Sequence, residues 1–210
     1  MSKSLKICVV SDSHGFHNKI IIPPCDILIF AGDANINSEN QLIEFNKWLG
    51  KQPGKYKIII GGNHDGLLEE FDNYKISYYL SNAIYLENES VTIEGIKFWG
   101  SPFSKEFNGW SFMRYDEDLK EIWDTIPEDT DVIIAHGPAF GRLDKIEWKN
   151  EGSQTLRDRI DIIKPKVVIS GHIHSQHGHC RNETTDFYNG SVLDDNYKLV
   201  YEPLVFTYER

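Results

Sequence analysis

The run Tyr56-Lys57-Ile58-Ile59-Ile60-Gly61-Gly62-Asn63-His64-Asp65 joins two unlike halves. Its first half is apolar and β-branched, which reads as a strand buried on both faces. Two glycines end it. An amide, an imidazole and a carboxylate then stand in a row. Core packing does not ask for that order, whereas a site at the carboxyl edge of a parallel sheet does.

The same pattern recurs on both sides of this run. Leu5 to Val10 leads into Ser11-Asp12-Ser13-His14, and Asp26 to Ala31 leads into Gly32-Asp33. Further on, Asp131 to Ala135 delivers His136-Gly137-Pro138, and Lys166 to Ser170 delivers Gly171-His172-Ile173-His174. Helical signals lie between. Ser38 with Gln41 forms a capping box before Leu42, Phe45, Trp48 and Leu49, a helix expected to stop before Gly50 or Pro53. Residues 16–25, with Pro23-Pro24, leave room for at most a turn of helix. Residues 67–79 are mixed helical and aromatic. Ile84-Leu86, Ser90-Ile93 and Ile96-Gly100 read as strands, the last two joined by a Glu94-Gly95 turn. Tyr115, Leu119, Ile122, Trp123 and Ile126 mark one helix. Ser153 caps another, whose buried face is Leu156, Ile160 and Ile163 and which Pro165 ends. Asp186-Leu193 and Tyr197-Tyr208 are expected to be closing antiparallel strands. The class is α/β, and 210 residues fit one domain over 1–210.

Bulk properties narrow the function. The net charge of -10 weighs against a protein that grips long nucleic acid. Three scattered cysteines, Cys8, Cys25 and Cys180, are not a disulfide framework. No stretch of ~20 apolar residues is present, so no membrane span is expected. The chain enters a strand at once, so the cytoplasm is the expected location.

Five strand ends thus carry metal-competent residues: Asp12 and His14, Asp33, Asn63 with His64 and Asp65, His136, and His172 with His174. Buried together without cations, the carboxylates would repel and raise each other's pKa. Two divalent cations remove that conflict. Asp12-x-His14 and His172-x-His174 each send two side chains to one side of an extended segment. Asp33 can bridge, having two oxygens to share. The mixed nitrogen and oxygen donors suit manganese first, then iron, zinc, cobalt or nickel, better than calcium.

Asp-x-His, Gly-Asp, Gly-Asn-His-Asp, His-Gly-Pro and Gly-His-x-His, in this order over about residues 5–195, resemble the calcineurin-like metallophosphoesterases. Within them the chain is most similar to the small metallophosphoesterase-domain group, a class III cyclic-nucleotide phosphodiesterase-like branch. The narrower likeness rests on the Pro-Pro connection before Cys25, Phe45-Asn46-Lys47-Trp48-Leu49 and Val91 to Ile96. Gly100-Ser101-Pro102 and His136-Gly137-Pro138 with Gly141 and Leu143-Asp144 add to it. The resemblance implies a four-layer α/β/β/α sandwich of two mixed sheets flanked by helices, the calcineurin-like phosphoesterase fold. It implies one metal held by Asp12, His14, Asp33 and His174, and a second by Asp33, Asn63, His136 and His172. It implies hydrolysis of a small phosphodiester, first of all a cyclic nucleotide, by a metal-activated hydroxide. His64 would assist the leaving group and Asp65 would set its ring. Phosphomonoester or nucleoside polyphosphate hydrolysis is the alternative, and a non-catalytic metal-dependent binding protein a third. Three departures from the pattern are Asp65 where the branch often has glutamate, Ser13, and Ala139-Phe140.

Softer candidates remain. His17 and His177 either reach the substrate or sit at the surface. His179 reads as loop structure. Arg142 either meets a phosphate or makes a surface ion pair. Asn189-Gly190-Ser191 reads as a turn under the second sheet. Pro102, Phe103, Phe107, Trp110 and Phe112 fall in one loop. Its rings either pack the loop down or line a pocket, and they also raise the expectation of a homodimer.

Overall fold

A computed structural model describes residues 4–209. The first half comprises β1 (Leu5–Val10), β2 (Ile27–Ala31), α1 (Glu39–Gly50), β3 (Tyr56–Ile60), α2 (Gly66–Glu70), α3 (Asn73–Tyr79) and β4 (Ile84–Tyr85). The second begins with β5 (Glu89–Ile93), β6 (Ile96–Ser101), β7 (Ser104–Lys105), β8 (Met113–Arg114), α4 (Asp116–Trp123) and β9 (Val132–Ala135). It continues with β10 (Lys145–Ile146), β11 (Lys149–Asn150), α5 (Gln154–Ile163), β12 (Val167–Ser170), β13 (Gly178–Arg181) and β14 (Asp186–Asn189). β15 (Leu204–Tyr208) returns to the first half. One sheet runs β15-β1-β2-β3-β4 and the other β13-β14-β12-β9-β6-β5. Two short ribbons, β7 with β8 and β10 with β11, stand apart.

Both faces of the central strands are buried, which explains their unbroken apolar runs. Along β1, Leu5, Ile7 and Val9 face the other sheet, where Phe98, Val132, Ile134 and Ile169 meet them. Cys8 and Val10 turn to the helical side. There Phe30 meets Phe45 and Trp48 of α1. On the opposite outer face Trp99 meets Trp123 of α4. The result is the four-layer α/β/β/α sandwich. The helix caps follow the sequence: Ser38 Oγ accepts Gln41 N–H at 3.4 Å, and Ser153 Oγ accepts Leu156 N–H at 3.0 Å. The turn expected in residues 16–25 is a 3-10 turn at His17–Lys19. No helix among the described residues is long and apolar enough to cross a membrane.

Register places the site. β1, β2 and β3 are parallel, with Val10 level with Phe30 and Ala31 level with Ile60. Their carboxyl ends therefore lie side by side and present Asp12, Asp33 and Asn63 along one edge. β9 and β12 are also parallel, with Ile134 level with Ile169, which brings His136 beside His172. The closing strands differ in part from expectation. β15 is antiparallel to β1, but β14 is parallel to β12, and its antiparallel neighbour is β13. Gly178-His179-Cys180-Arg181 carries no buried apolar alternation that would mark it as a strand.

Candidate metal centre

The backbone at the strand ends is held in costly conformations. Asp12, His14, Asp33 and His172 have φ of 55°, 42°, 59° and 69°. A non-glycine residue there costs on the order of 1–3 kcal/mol, and such strain gathers at functional sites. The glycines serve close approach. Neither Gly61 nor Gly62 has a positive φ, so their freedom to turn is not what the site uses. A Cβ on Gly62 would lie 2.3 Å from Asp33 Oδ1 and 2.8 Å from His136 Cε1. One on Gly171 would lie 2.3 Å from Asp12 Oδ2.

All seven expected metal residues converge. Asp12, His14 and His174 can bring one ligand atom each within 4.8 Å of one another, as can Asp12, Asp33 and His136. Asn63 Oδ1 lies 2.9 Å from His136 Nε2 and 2.8 Å from His172 Nδ1. The donors fit cations on chemical grounds. His136 Nδ1–H donates to the Ala31 carbonyl at 2.9 Å, which leaves Nε2 a bare lone pair in the neutral ring. That lone pair faces Asn63 Oδ1 and, at 3.5 Å, Asp33 Oδ2. His174 Nδ1–H likewise donates to the Asp194 carbonyl, so its Nε2 faces Asp12 Oδ1 at 3.6 Å and His14 Nε2 at 3.2 Å. With these tautomers, His136 Nε2 and His174 Nε2 each face a carboxylate oxygen acceptor to acceptor, which favours a positive charge between them. Carbonyl-anchored rings are also how proteins fix metal-binding histidines.

Titration behaviour in the metal-free protein reflects the same crowding. Burial opposes ionisation of Asp12, but the neighbouring His174, at 3.6 Å, and the His136 charge hold its carboxyl below the usual range. Burial also opposes Asp33, and His136 outweighs it. Burial works to lower His136, yet Asp33 and Asp12 raise it to about 9. A proton there meets the need a cation would meet. Burial brings His14 and His172 down to about 4. Burial, then the Asp33 charge, raises Asp65 to about 7.

Asp65 departs from the expected role. Its Oδ2 accepts N–H groups of Asp33 at 2.9 Å and Gly62 at 3.0 Å, and Oδ1 accepts Ile36 N–H at 2.9 Å. The carboxylate is spent on backbone and makes no hydrogen bond to the His64 ring. His64 is placed instead by its own N–H, which donates to Asp33 Oδ1 at 2.8 Å. Its ring stands 4.7 Å from that of His14 and 4.7 Å from that of Trp110.

A cleft of about 590 Å³ opens beside these groups. Asp33, Asn63, His64, His172 and His174 form its floor, and Phe107, Trp110 and Tyr197 supply rings to its walls. Glu106, Glu147, Glu151 and Asp195 line it too, against one lysine, Lys105, which pairs with Glu151. The aromatic loop thus divides. Phe103 and Phe112 are buried, while Phe107 and Trp110 are exposed in the cleft. Tyr197 was not visible as a site residue. Its ring lies 4.8 Å from His14 and 5.2 Å from His174. The Asp194 carbonyl that holds His174 also accepts Tyr197 N–H at 2.9 Å.

The softer candidates resolve mostly toward structure. His17 is neither at the surface nor in the cleft but buried against Phe45 and Trp48. His177 stacks on Tyr201, and His179 bonds Asp186. Arg142 lies over Phe187 and outside the cleft. Asn189-Gly190-Ser191 is more than a supporting turn, because Ser191 Oγ–H donates to Asp12 Oδ2 at 2.7 Å. No sequence signal links positions so far apart.

Comparison with known proteins agrees with this geometry. A family model described as calcineurin-like phosphoesterase matches residues 5–176. The UPF0046 protein K07C11.7 of Caenorhabditis elegans is 34% identical, over 96% of this chain and 74% of that protein. The human metallophosphoesterase domain-containing protein 1 is 34% identical, over 95% of this chain and 69% of that protein. A solved structure 18% identical superimposes with a TM-score of 0.63 over 90% of both chains, a likeness of fold alone. The chain therefore belongs to the calcineurin-like phosphoesterase family, as a metallophosphoesterase whose strand ends form a candidate metal-binding centre.

Proposed function

We propose that the protein is a dinuclear-metal-dependent phosphodiesterase for small phosphodiesters, with cyclic nucleotides as the class it fits first. The observation that carries this is a set of three overlapping donor groups, Asp12/His14/His174, His14/Asp33/His64 and Asp12/Asp33/His136, joined in pairs by Asp12, His14 and Asp33 beside an aromatic-walled cleft. Asp12, His14, Asp33 and His174 would hold one ion, and Asp33, Asn63, His136 and His172 the other. Nitrogen and oxygen donors without thiolate suit manganese. When bound, such ions supply Lewis-acid charge to the phosphoryl oxygens and acidify water for attack at neutral pH.

The chain's own groups do the rest. The N–H bond to Asp33 fixes His64 at the edge of the donor cluster, where its ring can donate toward a leaving oxygen. Trp110, Phe107 and Tyr197 offer faces for a base or aryl group. The carboxylates at the cleft disfavour a long polyanion, which supports a small diester over nucleic acid.

The test is a panel of 2′,3′-cyclic and 3′,5′-cyclic nucleotides, aryl diesters and monoesters with manganese. Preference for diesters is expected. A strong monoester preference overturns the diester assignment in favour of a phosphomonoesterase. Activity on aryl diesters alone overturns the cyclic-nucleotide assignment.

A further inference from the structure

We propose that Asp65 is a positioning residue for the shared ligand Asp33, holding the Asp33 loop by its backbone instead of orienting the His64 ring. The inference rests on the metal-binding reading of the site and is independent of the substrate.

Asp65 occupies the residue before α2, where an aspartate usually accepts an N–H from its own helix. It makes no such bond. Its buried carboxylate reaches across to the loop after β2 and gathers the N–H groups of Asp33, Ala34 and Ile36 together with that of Gly62. Asp33 answers with Oδ1, which accepts His64 N–H. Each loop therefore holds the other through a carboxylate. The lock matters because Asp33 sits at φ 59°, a conformation that persists only when its surroundings over-determine it. Once this backbone is fixed, the Asp33 side chain is fixed as well. Oδ1 is tied to the His64 backbone, and Oδ2 faces His14 at 3.7 Å and His136 at 3.5 Å.

Asparagine at this position keeps the volume but not the lock. Four N–H groups converge on two acceptor oxygens, and an amide would turn an NH₂ donor toward some of them. Asp33 then loses its fixed aim, and the shared site weakens. Loss of a residue that orients a ligand typically costs about 10–100-fold in metal affinity.

Metal-free wild type, Asp65→Asn and His64→Ala are titrated with manganese by calorimetry, and hydrolysis is followed as manganese rises. The expected result is a weaker Kd for Asp65→Asn, by about 10–100-fold, with unchanged affinity for His64→Ala. Turnover of Asp65→Asn recovers as manganese rises, and its pH profile keeps the wild-type shape. General misfolding gives no such recovery. Wild-type affinity in Asp65→Asn, with lost turnover and a displaced pH limb, would show that Asp65 acts on His64 and would overturn the proposal. Amide exchange in metal-free wild type provides a check that needs no folded variant. The Ile36 and Gly62 N–H groups, which lie outside strands and helices, should exchange slowly, and fast exchange at both overturns the clamp. Wild type that binds no manganese refutes the metal reading, while amide exchange still judges the clamp.

Discussion

Gly62→Ala tests the packing against each other of the two loops that carry the candidate donors Asp33 and Asn63. The added Cβ would lie 2.3 Å from Asp33 Oδ1, 2.6 Å from Asp33 N and 2.8 Å from His136 Cε1. Ordinary contact begins at 3.4 Å, so Asp33 or Gly62 must retreat by about 1 Å. All three obstructing groups are tethered. Asp33 Oδ1 accepts His64 N–H, Asp33 N is bonded to Asp65, and the His136 ring is bonded to the Ala31 carbonyl. Elsewhere a glycine with an ordinary φ and free space gains about 0.4–1 kcal/mol on becoming alanine. Here overpacking reverses the sign and costs about 1–3 kcal/mol. For a domain of this size that lowers Tm by about 2–12 °C. The same shift misaims Asp33, so manganese affinity falls as well. Thermal unfolding of the metal-free protein and calorimetric manganese titration read the two effects separately. Unchanged Tm and unchanged affinity would refute the close-packing argument.

Other outcomes follow from the same geometry. His64→Ala should retain both ions and lose about 10²–10⁴-fold in turnover, and near-full turnover on every active substrate removes its assigned role. Trp110→Ala and Tyr197→Ala should raise KM for nucleotide diesters more than for a minimal dialkyl diester, and equal effects on both remove the ring-binding role. Chelation should lower Tm, because an ion at about 100 times its Kd adds about 2.7 kcal/mol, and a Tm indifferent to metal contradicts occupancy of the folded site.

The strands were legible because burial on two faces leaves an apolar run that sequence shows directly. The convergence of the seven candidate donors was legible for a related reason. Parallel strands put their carboxyl ends together, so polar residues after separate runs become neighbours. What stayed hidden depends on contacts that have no local mark. The carboxylate of Asp65 answers to backbone groups of residues 33–36, and backbone N–H has no signature in sequence. Ser191 meets Asp12 only after β14 joins β12, and Tyr197 meets His14 through the turn that Asp194 builds. Phe103, Phe107, Trp110 and Phe112 look alike in sequence. The ribbon of β7 with β8 sends the outer pair inward and leaves the inner pair to the cleft. Gly62 serves through its missing side chain, a close approach that nothing local in the sequence marks.

Anomalous scattering from crystals grown with manganese tests the central claim most directly. Two peaks about 3.5–4 Å apart are predicted, with Asp33 touching both, Asp12, His14 and His174 touching one, and Asn63, His136 and His172 the other. A single peak, or two peaks that do not share Asp33, would contradict the dinuclear account.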